Sequence, residues 1–296
     1  MTPTHKHTPW IGLIALIWLS CTSIGSQACT LDAPSEWTLP DYDPQQLQAT
    51  ISTKILQVRA QYPQTCQAQL LIEMQNGQAP QLHGDQQPPL NFELSSQSNY
   101  AAPMALAPNA AAHIQLIPAS TGISATQALP LWLRVPPGQW VKAGVYQQRL
   151  RLSLIDAVGR TLTERILTIL QPVRPKVSLQ FAQTGSTQAD LDFGQLEKGK
   201  TRQADIQVKH NTPYLLQLSS QNAGVLRNPQ HPQSTIAYRL LLDGRHIDLQ
   251  NTLQIPGNAT SSTATTQHQL RIEIQEVERV RAGTYQDNLN LTIQAQ

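Results

Sequence analysis

Apolar and polar residues alternate with period two along most of this chain, and this pattern constrains the fold more than any other feature. The alternation is clear at residues 177–181, 205–208, 270–274 and 289–293. It predicts strands with one buried face, because successive side chains of a strand point to opposite sides of the sheet. The 21 prolines punctuate strand edges and turns. The sequence therefore predicts an all-β chain built from sandwich domains.

The first 28 residues carry the pattern of a secretory signal peptide. A polar start containing Lys6 precedes an unbroken apolar run at residues 11–19 (IGLIALIWL). Ser26 and Ala28 then supply the small residues at positions −3 and −1 of a cleavage site. The run is too short to remain as a membrane anchor. We expect cleavage after Ala28 and export through the periplasm to the cell surface.

The chain has three cysteines, and the export signal decides how they are interpreted. Cys21 would leave with the signal peptide. Cys29 and Cys66 would remain in an oxidising compartment, where a disulfide is expected. On the chain-entropy model, a loop of this length contributes roughly 3–4 kcal/mol. The alternative is that Cys21 or Cys29 becomes a lipid-modified N-terminus, although neither has a leucine three residues before it.

Length and charge narrow the function classes. The 296 residues allow about two domains of ordinary size. The net charge of +2, with 14% charged residues, provides no basic footprint for nucleic acid. The sequence has no Gly-x-Ser-x-Gly, no phosphate-binding glycine loop and no His-Glu-x-x-His, and the histidines of the expected mature chain never fall at paired metal spacing. We therefore expect no catalytic residues, no metal and no cofactor.

An internal repeat predicts the number of domains. Residues 143–154 (AGVYQQRLRLSL) align with residues 282–293 (AGTYQDNLNLTI). Both copies begin Ala-Gly-x-Tyr-Gln and continue as an alternating strand. We therefore expect two related Ig-like β-sandwich domains, at residues 29–172 and 173–296. The segment 171–175 (QPVRP) has the two prolines of a short, stiff linker.

The two copies of the repeat have different continuations. After the first copy, residues 155–160 predict a turn and residues 161–170 (TLTERILTIL) predict another strand. Only three residues of the sequence follow the second copy. We therefore expect the N-terminal sandwich to be self-complete and the C-terminal sandwich to lack its last strand. The alternative is that the C-terminal sandwich ends on an ordinary edge strand.

A sandwich without its last strand would expose unpaired backbone groups beside an apolar cleft, which is an acceptor for a strand from another chain. Each wall of the cleft should carry three apolar residues: Leu289, Leu291 and Ile293 on one side, and Val177, Leu179 and Phe181 on the other. Burying three or four aliphatic side chains of an incoming strand, at roughly 1.5–3 kcal/mol each, would make a long-lived joint.

The C-terminal domain resembles the spore coat protein U domain, the fold of subunits of archaic chaperone–usher pili. The resemblance covers residues 175–296, and its motifs lie at residues 192–196 (DFGQL), 211–220 (NTPYLLQLSS), 236–244 (IAYRLLLDG) and 282–285 (AGTY). It implies an incomplete pilin-type sandwich, a donor strand from an adjacent pilus subunit, a periplasmic chaperone and an outer-membrane usher. Subunits of this family usually carry cysteines in the domain, whereas residues 173–296 contain none.

The N-terminal cysteine suggests a position in the fibre. If Cys29 begins the mature chain and is tied to Cys66, no free donor arm precedes the first sandwich. We therefore expect a tip adhesin or minor tip subunit, which accepts a strand and donates none. One alternative is a coat or matrix protein that polymerises through the same open edge. Another is a periplasmic assembly chaperone, which would have two complete domains.

Adhesion to an unknown surface or receptor is expected in the first sandwich. Residues 100–112 (YAAPMALAPNAAA) are uncharged and apolar, and could form a surface-binding loop. Its candidate contact residues are Pro103, Met104, Leu106 and Pro108. The alternative is that this segment packs inside the sandwich. Trp132 and Trp140 could likewise form a sugar-binding platform, or serve only in packing.

Overall fold

The computed structural model describes residues 29–60, 68–75, 79–85, 88–101, 103–106, 112–115, 125–257 and 264–296. Their regular secondary structure consists of twenty β-strands. The all-β prediction is confirmed, and the strands predicted from the alternating pattern all lie within observed strands. Within these ranges, no helix is long and apolar enough to cross a membrane.

The first eleven strands form the N-terminal sandwich. Its strands are β1 (Cys29–Asp32), β2 (Glu36–Thr38), β3 (Thr50–Ala60), β4 (Ala68–Met74), β5 (Gln81–Leu82), β6 (Leu90–Asn91), β7 (Glu93–Ser95), β8 (Ala112–Gln115), β9 (Ala125–Val135), β10 (Gly144–Asp156) and β11 (Thr161–Val173). One sheet has the order β1-β3-β9-β7, the other has the order β2-β11-β10-β4-β8, and β5 pairs with β6. The β2–β11 pair is parallel, and the other pairs are antiparallel.

The remaining nine strands form the C-terminal sandwich. They are β12 (Val177–Phe181), β13 (Thr201–His210), β14 (Tyr214–Ser220), β15 (Val225–Arg227), β16 (Thr235–Leu242), β17 (Arg245–Ile247), β18 (Leu253–Gly257), β19 (Ala264–Ile274) and β20 (Leu289–Ala295). The larger sheet has the order β12-β13-β19-β16-β15, with β17 also paired to β16, and the smaller sheet has the order β18-β14-β20. Both β12 and β20 are therefore edge strands.

The buried apolar residues form two separate clusters, one for each sandwich. The first cluster extends from Cys29 to Val173, and the second extends from Phe181 to Ile274. The alternating strands produce these cores directly: every second residue of β16 is buried, for example. Because Val173 packs in the first cluster, we propose that the N-terminal sandwich ends there, one residue later than the sequence suggested. Residues 174–176 then link the two sandwiches.

The predicted disulfide is described at one end only. Cys29 is buried, with 1% exposure, and is disulfide-bonded. Its expected partner Cys66 lies outside the described residues, as do Cys21 and the whole of the predicted signal peptide. The pairing of Cys29 with Cys66 therefore stays a prediction.

Candidate strand-acceptor groove

The two copies of the sequence repeat have the same local geometry. The hydroxyl of Tyr146 donates a hydrogen bond of 3.0 Å to the carbonyl oxygen of Lys142, four residues upstream. The hydroxyl of Tyr285 donates one of 2.7 Å to the carbonyl oxygen of Arg281, also four residues upstream. This tyrosine bond fixes the bend that leads into a strand, as in the tyrosine corner of immunoglobulin-type sandwiches. The sequence repeat is therefore also a structural repeat.

Two further structural features are the same in both copies of the repeat. Gln147 exchanges a pair of backbone hydrogen bonds with His83, and Gln286 does the same with Arg227. The glycine two residues before each tyrosine has nearly the same positive φ, 148° at Gly144 and 146° at Gly283. A side chain with a Cβ rarely adopts this conformation, which explains the glycine in both copies.

The strands that begin after the two tyrosine bends have different neighbours. Strand β10 lies between β4 and β11 in its sheet. Its equivalent β20 pairs with β14 alone among the described strands, so its other edge is open. Strand β11, which covers β10, has no counterpart beside β20 in the part of the chain that the structure describes.

The missing neighbour changes the burial of equivalent side chains. Leu150, Leu152 and Leu154 of β10 are each 0% exposed. The repeat aligns them with three residues of β20 that are only half-buried, namely Leu289, Leu291 and Ile293. The same aliphatic positions are therefore closed in one sandwich and partly open in the other.

The open edge of β20 borders a groove of about 1340 Å³. Strand β12, the edge of the larger sheet, forms part of the opposite wall and contacts β20. Leu179 and Phe181 line the groove from β12, and Leu289 and Leu291 line it from β20. Several lining residues also belong to the core of the C-terminal sandwich, among them Ile236, Tyr238, Leu270 and Ile272.

Four of the six wall residues expected from the sequence thus line the groove. The other two, Val177 and Ile293, lie on the same strands and pack against the core, but they do not line it. The core residues that line the groove from β16 and β19 were not predicted as part of the site. Their alternation in β16 and β19 shows which face is buried, but not that this face borders an opening.

A non-strand segment, residues 187–196, lines the groove beside β12. It comes after β12 in the chain, as β2 comes after β1 in the N-terminal sandwich. In that sandwich β2 pairs in parallel with β11. Leu191, Phe193 and Leu196 of the segment pack against the core or form part of it. The segment therefore lies where a strand filling the groove would find a second neighbour.

The carboxylate of Asp287 holds the start of β20 in place. Its Oδ2 accepts hydrogen bonds of 2.6 Å from the hydroxyls of Ser220 and Tyr238. Its Oδ1 accepts from the backbone amides of Asn222, at 3.0 Å, and Asn288, at 2.8 Å. Burial, and then the bond to Asp287, raises the pKa of Tyr238 above its ordinary value. Tyr238 therefore stays a neutral donor, and the edge of β20 is anchored even though one side is open.

The expected surface-binding loop is only partly exposed. Leu106 is 3% exposed and belongs to the core of the N-terminal sandwich, and Met104 packs against that core. Leu106 is therefore removed from the candidate surface contacts, because its side chain packs inside the sandwich, as the alternative had it. Pro103 is exposed. Pro108 lies outside the described residues.

The two candidate sugar-platform residues are both half-buried. Trp132 lies in β9. The ammonium of Lys209, from the C-terminal sandwich, lies 4.2 Å from the centre of the Trp140 ring. Trp140 therefore contributes to the contact between the sandwiches. Within the described ranges, no group of three or more His, Cys, Asp or Glu residues could hold a metal ion.

No protein-family model matches the chain, so its resemblance to the spore coat protein U domain stays a prediction. No curated protein sequence matches it either.

Several solved structures are similar to the chain at low identity. One is the CsuC–CsuE chaperone–tip adhesion subunit pre-assembly complex from the archaic chaperone–usher Csu pili of Acinetobacter baumannii. It has 15% identity and a TM-score of 0.48, and the match covers 90% of this chain and 99% of that chain. A second is the CupB6 tip adhesin from Pseudomonas aeruginosa, with 10% identity, a TM-score of 0.40, and coverage of 90% and 92%.

A third is CfaE, the adhesive subunit of CFA/I fimbria of enterotoxigenic Escherichia coli. It has 14% identity and a TM-score of 0.38, and the match covers 87% of this chain and 77% of that chain. All three structures contain an adhesin or tip subunit of pili or fimbriae.

Proposed function

We propose that the C-terminal sandwich accepts a β-strand donated by another subunit, and that the chain is a tip adhesin or minor tip subunit of an archaic chaperone–usher pilus. One observation carries this proposal: β10 is covered by β11, whereas its structural equivalent β20 has an open edge beside an apolar groove. The pilus context comes from the resemblance of residues 175–296 to the spore coat protein U domain.

The groove suits a polypeptide strand better than a small molecule. Its volume of about 1340 Å³ exceeds the roughly 300–1,000 Å³ typical of small-molecule pockets. Residues of β20 line it, and the edge of β20 that does not face β14 offers backbone groups with which a strand would pair by hydrogen bonds. Each aliphatic side chain that enters would contribute roughly 1.5–3 kcal/mol, less the cost of ordering the donor.

Strand β11 indicates the direction and pattern of the donor. It runs antiparallel to β10 and buries Leu167, Ile169 and Gln171 in alternation. Leu167 lies opposite Leu150, whose equivalent on β20 is Leu289. We therefore expect a donor that runs antiparallel to β20, with an apolar residue opposite Leu289 and further inward-facing residues at every second position.

The N-terminal sandwich would carry the adhesive function, because its own β11 completes the sheet that remains open in the C-terminal sandwich. Strand β1 pairs with β3 through the whole of Cys29–Asp32, so this segment is not available as a donor. A periplasmic chaperone that covers the groove, an outer-membrane usher and an unknown receptor are the further partners of this proposal. An open groove does not fit the two complete domains of an assembly chaperone.

Hydrogen exchange on the chain, secreted with its own N-terminal 28 residues, tests the open edge directly. In β10, amides pointing to both neighbours should be protected. In β20, the amides that bond to β14 should be protected, and the alternate amides, which point into the groove, should exchange fast. Equal protection of both sets in β20 would contradict the proposal.

A fused donor strand provides the complementary test. Residue 156 aligns with Ala295, so residues 157–173 can be appended after Ala295 to recreate the hairpin that joins β10 to β11. The open set of β20 amides should then become protected, and the C-terminal sandwich should unfold at higher temperature. The matched control carries Leu167→Ser and Ile169→Ser in the appended copy and should give little protection. A free N-terminal donor arm in the secreted protein would instead favour a polymerising coat protein.

A further inference from the structure

A single buried asparagine holds the junction between the two sandwiches. Asn211 is 0% exposed. Its side-chain amide donates to the carbonyl oxygens of Val141, at 3.1 Å, and Arg174, at 3.0 Å. Its side-chain oxygen accepts from the amide of Lys176 at 2.7 Å, and its backbone carbonyl accepts from the amide of Ala143 at 2.9 Å. One side chain therefore ties the linker and both sandwiches together.

Charged contacts lie around this asparagine. The ammonium of Lys176 lies 2.7 Å from the carboxylate of Asp43, in the N-terminal sandwich. The ammonium of Lys209 lies over the ring of Trp140, at a distance typical of a cation–π contact. The C-terminal sandwich thus docks on the segment that precedes β10, residues 140–143, through one amide side chain and one cation.

Strand β11 is the last strand of the N-terminal sandwich and leads into the C-terminal sandwich. It completes the sheet of the N-terminal sandwich, beside β10. After a linker of three residues it continues into β12, the first strand of the C-terminal sandwich. The N-terminal sandwich therefore corresponds to an acceptor subunit, and the C-terminal sandwich corresponds to the subunit that donates a strand to it. Here both are on one polypeptide.

The docking segment of the N-terminal sandwich has an equivalent beside the groove. In the register of the repeat, residues 140–143 (WVKA) align with residues 279–282 (RVRA). Val141 is 4% exposed, whereas its equivalent Val280 is half-buried and lines the groove. Among the described residues, the Val280 carbonyl and the Ala282 amide form no hydrogen bond. Their equivalents at the junction are both bound: the Val141 carbonyl accepts from the Asn211 side chain, and the Ala143 amide donates to the Asn211 backbone carbonyl.

Resting on the proposed function, we infer that the next subunit binds at two places: its donated strand fills the groove, and an asparagine-type turn docks on Val280 and Ala282 as Asn211 docks on Val141 and Ala143. The donor strand would lead into the first strand of that subunit through a linker of about three residues. The junction inside this chain is thus a covalent form of the joint between subunits.

The charge at the joint specifies the partner further. In the sequence register of the repeat, Trp140 corresponds to Arg279, which is exposed, lies in a turn with a φ of 58°, and forms no ion pair with the described residues. A lysine placed like Lys209 would face a like charge there. The next subunit therefore carries an acidic residue at the position where this chain has Lys209, and this excludes a second copy of the chain as the preferred partner.

A tandem chain, residues 1–295 joined to residues 157–296, creates this joint for measurement. The appended β11 can fill the groove, and the appended sandwich presents its own Asn211 and Lys209 to Val280 and Arg279. Trypsin cleavage after Lys176 reports how often each linker opens. The native linker and the appended linker give fragments of different size, so the native junction is an internal control within the same molecule.

With Lys209→Glu in the appended copy, the appended linker should be cut nearly as slowly as the native linker. Adding Asn211→Ala to that copy should speed its cleavage about tenfold, because the opened joint becomes more populated. The native linker should not change. An appended Asn251→Ala, at an exposed position of the same sandwich, should have no effect.

A charge-swap series covers the case in which Asn211→Ala disturbs folding. Cleavage of the appended linker should be fast when Arg279 faces the natural Lys209, and slow when the appended copy carries Lys209→Glu. It should be slow again when Arg279→Glu faces the natural Lys209, and fast when the two substitutions are combined and both positions are acidic. Cleavage rates that do not depend on the pairing would overturn the inference.

The two proposals fail in different ways. If β20 becomes protected from hydrogen exchange but neither Asn211→Ala nor the charge swaps change cleavage of the appended linker, the joint consists of the strand alone. The docking inference is then wrong, and the proposed function stands. If β20 stays open in every tandem, the groove does not accept the strand, and both proposals fall.

Discussion

Tyr146 and Tyr285 make the same hydrogen bond to the carbonyl four residues upstream, but Tyr146 is 1% exposed and Tyr285 is only half-buried. The local bend is therefore a property of the repeated sequence. The difference in burial reflects the neighbouring strand, which is present beside β10 and absent among the described residues beside β20. Matched positions of this kind allow sharp tests, because each pair provides its own control.

Removing the two tyrosine hydroxyls should have unequal costs. Tyr146→Phe leaves a carbonyl without its partner in a buried site and should cost about 1–3 kcal/mol in the unfolding free energy of the N-terminal sandwich. Tyr285→Phe also removes the hydrogen bond between the hydroxyls of Tyr285 and Ser234, but it should cost only about 0.5–1.5 kcal/mol, because the bond to the Arg281 carbonyl is exposed to water. Urea unfolding of each sandwich measures both values. Equal costs in the chain without a donor would contradict the open state of the C-terminal sandwich.

Truncation of equivalent leucines should separate a closed core from an open edge. Leu152→Ala should destabilise the N-terminal sandwich by about 2–5 kcal/mol, since the side chain is fully buried. Leu291→Ala should cost less, about 1–2 kcal/mol, in the chain without a donor, because the side chain is only partly buried. With residues 157–173 appended after Ala295, the cost of Leu291→Ala should rise toward that of Leu152→Ala. A cost that does not change on adding the strand would show that the strand does not cover Leu291.

Asn211→Ala should loosen the junction in the native chain. The substitution removes three side-chain hydrogen bonds and leaves the carbonyls of Val141 and Arg174 without this partner, which should cost about 1–3 kcal/mol. Trypsin should then cut faster after Lys176. Asn251→Ala, at an exposed position of the same sandwich, is the matched control. Unchanged cleavage would show that the linker is held by its other contacts.

The junction should weaken in acid. Partial burial acts to raise the pKa of Asp43, but the hydrogen bonds from Lys176 and the Gln45 amide outweigh it, and the pKa is lowered below 3.8. A carboxyl whose folded pKa is lowered contributes stability above its unfolded pKa and loses it as pH falls through the folded value. The Tm difference between the natural chain and Asp43→Asn should therefore be constant above about pH 5 and shrink below about pH 4. A difference that does not vary with pH would contradict the ion pair.

Gly257 should not tolerate a side chain. A Cβ at this position would overlap the ring of Tyr214, which is 1% exposed and whose hydroxyl lies 3.1 Å from Nε2 of His268. Gly257→Ala should destabilise the C-terminal sandwich by about 1–3 kcal/mol, since the packed ring must move. Gln254→Ala, at an exposed position of the same strand, should change little. Thermal unfolding of the two variants makes the comparison.

Much of the fold was predictable from local pattern. The period-two alternation predicted β12, β13, β19 and β20, and the repeat at residues 143–154 and 282–293 predicted two equivalent strands. The different continuation after each copy led to the prediction of an acceptor cleft, which stays a prediction, and four of the six expected wall residues line the groove beside β20. The strand predictions succeeded because alternation reports which face of a strand is buried, and this property depends on the sequence of that strand.

Other features depend on partners distant in the chain. Leu106 was a candidate surface contact, but it packs in the core, because burial there depends on the strands around it. Asn211 gives no local sign of its role, since its side chain binds groups from the linker and from the N-terminal sandwich.

By itself, the sequence determined that the chain forms strands, that it repeats, and which face of each strand is apolar. Tertiary structure alone decided that β20 pairs with β14, that the core residues Ile236 and Leu270 border an opening, and that Val280 and Ala282 stand beside it. The physical reason is that hydrophobic alternation acts within one strand, whereas an edge, a groove and a junction exist only once distant strands have paired.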